Sequence, residues 1–140
     1  MKIFSAAQLK KWDAYTIAHE PIAAIDLMER AATLCVNWLE ANQFLQKNIL
    51  LFCGKGNNGA DGLAIARLLV QQKIKVSIYL IDTDKEGTAE FKTNLKKLET
   101  STFNIYTISS TEKFPKISSE DVVIDALFGT GLNKPLIDLH

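Results

Sequence analysis

A short apolar run, Ile49-Leu50-Leu51-Phe52, passes through Cys53 into Gly54-Lys55-Gly56-Asn57-Asn58-Gly59 and then into a segment with helical apolar spacing. That succession leaves few folds open. An unbroken apolar strand ending in glycines suits a parallel sheet covered on both faces. Leu63, Ile65, Ala66, Leu68, Leu69 and Val70 give the next segment its apolar surface, and Val76-Ser77-Ile78-Tyr79-Leu80-Ile81 reads as a second strand, completing a β-α-β unit. After Gly87 the pattern repeats: a charged helix from about Thr88 to Leu98 with Phe91, Leu95 and Leu98 inward, then strands at Phe103-Asn104-Ile105-Tyr106 and Val122-Val123-Ile124-Asp125-Ala126-Leu127. The polar stretch from Ser109 to Glu120 reads as a surface connection. Such alternation predicts an α/β fold: a Rossmann-like doubly wound, mainly parallel sheet in a three-layer α/β/α sandwich with right-handed crossovers.

Two helices are expected before the sheet. Ser5-Ala6-Ala7-Gln8 has the form of a capping box, opening a helix that runs to about His19. Beyond Pro21, Leu27, Met28, Ala31, Leu34, Cys35, Trp38 and Leu39 recur at three- and four-residue steps, a stripe read as core packing. Residues 1–140 suffice for one domain with its own core. Sixteen basic residues balance sixteen acidic ones, so no net field draws polyanions or anionic lipid, and neither nucleic acid nor a membrane is an expected partner. No run approaches the roughly 20 apolar residues of a membrane span, and the N-terminus lacks a signal-peptide core, so the expected location is cytoplasmic. Cys35 and Cys53 fit no metal or redox spacing and read as small buried hydrophobes.

The glycine segment carries the chemistry. It matches G-x-G-x-x-G after a strand and at the mouth of a helix, where glycines permit close backbone approach and unpaired N–H groups favour anionic oxygens. A ligand-free β-α turn is the plain alternative. In an ordinary dinucleotide-binding domain of an oxidoreductase, Asp82 or Asp84 would take the ribose. Asp61, however, already places a carboxylate near the positive end of the helix. With Asn57 and Asn58 it forms an oxygen-rich set suited to sugar hydroxyls, an amide-bearing ring or a hard cation.

A second constellation, Asp125-Ala126-Leu127-Phe128-Gly129-Thr130-Gly131-Leu132, closes the last strand. An Asp within an apolar strand is costly unless paired or coordinated, although Asp125 can also serve simply to cap the glycine turn after it. Ligands of open α/β sheets sit beyond the carboxyl ends of neighbouring strands, so the two glycine loops are expected to face one ligand.

With Leu27-Met28-Glu29-Arg30-Ala31, Gly54 to Gly62 and Asp125 to Leu132 in this order, the sequence resembles the YjeF N-terminal domain family, whose enzyme members are NAD(P)H-hydrate epimerases. The family usually has a second glycine where this chain has Ala60, a change tolerated unless that position needs a positive φ. The resemblance implies as substrate NADHX or NADPHX, the reduced cofactor hydrated on its nicotinamide ring, and interconversion of its R and S epimers, so that NAD(P) is part of the substrate and not a redox cofactor. It implies substrate binding by Asn57, Asn58, Gly59, Ala60, Asp61 and by Gly129, Thr130, Gly131, Leu132, Asn133, Lys134, Pro135. It further implies potassium ligation by Asn58 and Asp125, with Asp125 partly buried beside the ion. Asp61 is the acid–base candidate at the loop, and a further acidic motif that the family carries beyond the Gly129 loop, past His140, is the alternative. A homodimer and a partner NAD(P)HX dehydratase, fused in a longer form, are expected too, as is truncation of the domain at its C-terminal end. Competing readings are the oxidoreductase domain and a non-catalytic scaffold domain of the same family. Lys55 and Arg67 are the basic candidates for a 2′-phosphate.

Overall fold

The computed structural model describes residues 24–102 and 104–129, together with Ala7, Gln8 and Lys11, which are helical. The rest of the helix expected from Ser5 lies outside the described residues. Three helices and four strands follow in the order α1 (Ala24–Ala41), β1 (Ile49–Cys53), α2 (Asn57–Gln71), β2 (Val76–Ile81), α3 (Ala89–Glu99), β3 (Ile105–Ile108) and β4 (Val122–Ala126). Short 3₁₀ turns occupy Phe44–Gln46 and Thr111–Lys113.

The sheet is parallel throughout, with order β3-β2-β1-β4. Every residue of β1 is buried, as an apolar strand between two neighbours requires. Its alternate residues divide between two cores. Ile49, Leu51 and Cys53 join Ala32 and Val36 of α1, Leu63 and Leu69 of α2, Ile78 of β2 and Phe91 and Leu98 of α3 in one cluster. Leu50 and Phe52 point the other way, towards Ile81 and Ile108, with Tyr79 and Leu127 packed alongside. Truncating a residue such as fully buried Leu51 to Ala is expected to cost about 2–5 kcal/mol.

The order of strands explains the faces. From β1 through β3 the chain steps outward in one direction, so right-handed crossovers put α2 and α3 on the same side. To reach β4, on the far side of β1, the chain must then cross back over the opposite face. Phe114, from that return connection, stacks on Phe52 at 5.9 Å, and Phe52 in turn stacks on Tyr79 at 5.1 Å. The sheet is therefore doubly wound in connectivity, and among the described residues its second face is crossed by the 109–121 connection.

Two expectations need correction. The third strand covers Ile105–Ile108, ending two residues beyond Tyr106 and leaving out Asn104, while Phe103 lies outside the described residues. Its pairing with Ile78–Ile81 of β2 explains the shift, since the register of the neighbour outweighs local propensity. The stripe on α1 is also not core as a whole. Ala32, Val36 and Leu39 are buried, whereas Ala31, Leu34, Cys35 and Trp38 are exposed. Small Ala32 and Val36 permit close approach of α1 to α2, which turns the larger residues outward, and Cys35 with them. Cys53 is buried as expected.

Candidate functional site

What reads as a loop from Gly54 to Gly62 is mostly helix. Only Gly54, Lys55 and Gly56 lie between β1 and α2, and Gly56 is the N-cap, in extended conformation and without a side-chain cap bond. The Ala60 N–H donates to the Gly56 carbonyl at 3.0 Å as the first helical bond. The N–H groups of Asn57, Asn58 and Gly59 thus precede any intrahelical acceptor and carry the positive end of the helix dipole. Asn57 is exposed, Asn58 half-buried, Gly59 and Ala60 buried, and Asp61 half-buried one turn beyond Asn57, so that Asn57 and Asp61 share a helix face.

Most of the glycines serve contacts within the protein, not approach to a ligand. A Cβ on Gly54 would stand 2.4 Å from the Leu127 carbonyl oxygen, and one on Gly59 only 1.8 Å from that of Gly54. At Gly62 it would meet Ala126 Cβ at 2.6 Å and Cys53 Sγ at 3.0 Å. These close approaches let β1, the start of α2 and the end of β4 meet, and the Gly54 N–H completes the joint by donating to the Ala126 carbonyl at 3.1 Å. Gly56 differs from Gly54, Gly59 and Gly62: among the described residues a Cβ there would meet nothing within 4 Å, which leaves the mouth of the helix open. Ala60 has no positive φ, so its methyl replaces a glycine without strain.

The second loop reaches the first. A Cβ on Gly129 would lie 3.1 Å from Asn58 Cβ and 3.3 Å from Asn58 Cγ, so the two segments touch across the ends of adjacent strands. Asp125, opposite Phe52 in the register, is exposed on β4, which among the described residues is an edge strand, and this corrects the expectation of a partly buried carboxylate. Its Oδ1 accepts from the Leu127 N–H at 3.0 Å, fixing the turn into the loop as an Asp cap does. Thr130, Gly131, Leu132, Asn133, Lys134 and Pro135 lie outside the described residues.

One contact is not evident from local pattern, although both of its residues stand out in the sequence. Lys55 Nζ donates to Asp82 Oδ1 at 3.1 Å and to the Thr83 carbonyl at 2.8 Å, while the Thr88 N–H donates to the Lys55 carbonyl at 3.0 Å. The glycine turn is thereby tied to the end of β2. The signal for it is a Lys between two glycines and an Asp just past the second strand. Arg67 is engaged elsewhere, in an ion pair with Glu29 of α1. Beneath the turn, burial pushes the Cys53 thiol up to about 12, so it stays protonated and is no nucleophile near neutrality.

Comparison with known proteins decides the family. The family model described as YjeF-related protein N-terminus matches residues 24–139. The chain belongs to this family. Among its relatives, the NAD(P)H-hydrate epimerase of Weissella koreensis is 34% identical over 132 residues, covering 94% of this chain and 58% of that protein. The NAD(P)H-hydrate epimerase of Leuconostoc citreum is 35% identical over 136 residues, covering 97% and 59%. The chain thus spans about three-fifths of the length of these curated YjeF-related relatives. The crystal structure of yeast ynu0, YNL200c, superposes with a TM-score of 0.76 at 19% identity, covering 98% of this chain and 60% of that one, and so shares the fold.

Proposed function

We propose that this chain binds hydrated NAD(P)H, NADHX or NADPHX, between the Gly54 and Gly129 loops and takes part in interconverting its R and S epimers. The observation that carries the reading is the contact of Gly129 with Asn58, which joins two oxygen- and glycine-rich segments at the carboxyl ends of β1 and β4. The relatives' name supports the reaction. The open helix mouth at Gly56 suits the pyrophosphate, and the polar face of Asn57, Asn58 and Asp61 suits the hydrated ring. Residues 130–135 would complete the substrate contacts.

Inversion at a carbon bearing both a hydroxyl and the ring nitrogen requires one of its bonds to break and re-form. Asp61 would serve as the acid–base group: in ring opening it takes the hydroxyl proton and gives it to the ring nitrogen as the C–N bond breaks, and in hydroxide loss it protonates the departing hydroxyl as the C–O bond breaks, each step reversing as the bond re-forms on the other face. No hydride moves, so the nicotinamide nucleotide is substrate throughout. Among the described residues no three His, Cys, Asp or Glu side chains group to hold a metal. The amide oxygen of Asn58 and the carboxylate of Asp125 are instead donors of the kind a potassium ion accepts, and these two would hold one. Such an ion supplies positive charge beside the anionic substrate.

The product epimer would pass to a dehydratase specific for one form, in the cytoplasm. No helix among the described residues is long and apolar enough to cross a membrane. A homodimer would use the exposed Leu34, Cys35 and Trp38 stripe of α1, an apolar surface that water otherwise covers. Incubation of the protein with one purified epimer of NADHX, followed by chromatography, tests the function: the other epimer should appear faster than in buffer. An unchanged rate would remove the epimerase reading.

A further inference from the structure

We propose that the Lys55–Asp82 pair reads the 2′ position of the adenosine ribose and admits both forms of the substrate. The Asp82 carboxylate accepts from a 2′-hydroxyl, and the Lys55 ammonium turns from Asp82 to meet a 2′-phosphate. The inference rests on the reading of this site as one for a nicotinamide dinucleotide. It deepens that reading by naming the residues that distinguish NADHX from NADPHX.

In doubly wound sheets an acidic residue just beyond the second strand takes the ribose, and a lone carboxylate there repels a 2′-phosphate. Asp82 is the residue immediately after β2, its N–H donating to the Ile108 carbonyl of β3 at 2.8 Å, and its side chain is 51% exposed. Here the carboxylate is not alone. Lys55, carried by the glycine turn itself, pairs with Oδ1, and the Thr83 carbonyl takes a second of its three donors. Oδ2 of Asp82 and the third Lys55 donor have no partner among the described residues.

The alternatives for a phosphate-binding cation are fewer than the sequence offers. Arg67 has its side chain only 12% exposed and is committed to Glu29. Lys92 pairs with Glu86. Lys85 is exposed on the β2–α3 connection and makes no ion pair among the described residues. Lys55 differs from all three in joining the pyrophosphate-facing turn to the ribose-facing strand end. Its flexible stem lets the ammonium move between carboxylate and phosphate without disturbing the backbone, which the Thr88 N–H holds at the Lys55 carbonyl.

Calorimetric titration with ADP-ribose and with 2′-phospho-ADP-ribose reads the pair without any catalytic step. The unsubstituted protein should bind the two within about tenfold of each other, a difference of no more than one hydrogen bond to a charged group. Lys55→Met should weaken the phosphorylated ligand at least about tenfold and the unphosphorylated one less than about threefold. Asp82→Asn should shift the ratio at least about tenfold the other way, and Lys85→Met should leave it unchanged. Equal loss of both ligands in Lys55→Met would mark the lysine as a structural clamp and overturn the proposal, as would an unchanged ratio. If Lys55→Met does not fold, the ratio in Asp82→Asn decides alone. Epimerisation of NADHX with no shift of the ratio in these variants would sink this inference and leave the function standing. The expected shifts without epimerisation would do the reverse.

Discussion

Asp61 stands one helical turn beyond Asn57 on the same face of α2, and its carboxylate is the acid–base group proposed for the reaction. Asp61→Asn keeps size and hydrogen-bonding capacity but removes the proton transfer. Epimerisation should fall by about 10²–10⁴-fold with KM little changed. Turnover near the unsubstituted rate would exclude Asp61 from that role. The glycines divide by what a methyl would strike. Alanine is intrinsically better than glycine in a helix by about 1 kcal/mol, yet at Gly59 its Cβ would stand 1.8 Å from a backbone oxygen, and overpacking on that scale costs about 3 kcal/mol. The clash wins, so Gly59→Ala should lose about 2 kcal/mol by denaturant titration. Gly56→Ala meets open space and should lose less than about 1 kcal/mol, as an N-cap change does. Equal losses at both positions would contradict this division. At the thiols, a maleimide should reach buried Cys53 only on unfolding, and Cys35, exposed on the single chain, should react more slowly where two copies pair through α1. Because burial raises the Cys53 pKa from 9.0 to about 12, the unfolded state loses its proton first, so this contribution to stability is intact below pH 9 and declines as pH rises towards 12.

At the scale of elements, α3 holds an anomaly. Asn94 is fully buried, and neither its amide nitrogen nor its amide oxygen has a partner among the described residues. A buried amide left unbonded costs about 1–3 kcal/mol, so Asn94→Leu, similar in size and apolar, should raise stability by about 1–2 kcal/mol in thermal or denaturant unfolding. A loss of stability would mean that the amide is satisfied in solution. The elements also show what the residues announce beforehand and what they do not. Val76–Ile81 was legible because a six-residue run rich in β-branched and aromatic residues is too short for a helix and is bounded by polar segments. Helix α3 was legible from Thr88, whose hydroxyl accepts from the Phe91 N–H at 3.2 Å, and from Phe91, Leu95 and Leu98 at helical spacing. The bounds of β3 were not, because Ile105–Ile108 owes its limits to pairing with β2. Nor was the outward face of α1: Leu34 and Trp38 share the spacing of core residues, and only the partner helix decides which of two apolar faces is buried. If that face joins two copies, Trp38→Glu should shift the protein to a smaller species in light scattering without lowering epimerisation per intact site.

For the whole molecule, the strand order β3-β2-β1-β4 sets the site, because it brings the ends of β1, β2 and β4 together where the chain changes direction across the sheet. The glycine turn and the Asp125 segment are legible as two motifs, and the rule for parallel sheets predicts that they meet at the strand ends. Local pattern could not supply the way they join. Gly54, Gly59 and Gly62 are spent on contacts between β1, α2 and β4, Asp125 is exposed and caps its own turn, and Lys55 reaches Asp82 across a stretch of chain that no local pattern spans. The central claim is that the two loops form one epimerase site, and the contact between Gly129 and Asn58 is where it can be broken. The direct measurement is the rate at which one purified NADHX epimer is converted to the other by the unsubstituted protein and by Gly129→Val, with thermal unfolding followed in parallel. Conversion should exceed the buffer rate, and Gly129→Val should lower it at least about tenfold while the unfolding temperature holds, since the side chain would press on Asn58 at 3.1 Å in an exposed loop. An unsubstituted rate no faster than buffer, or a Gly129→Val rate equal to the unsubstituted one, would contradict the claim.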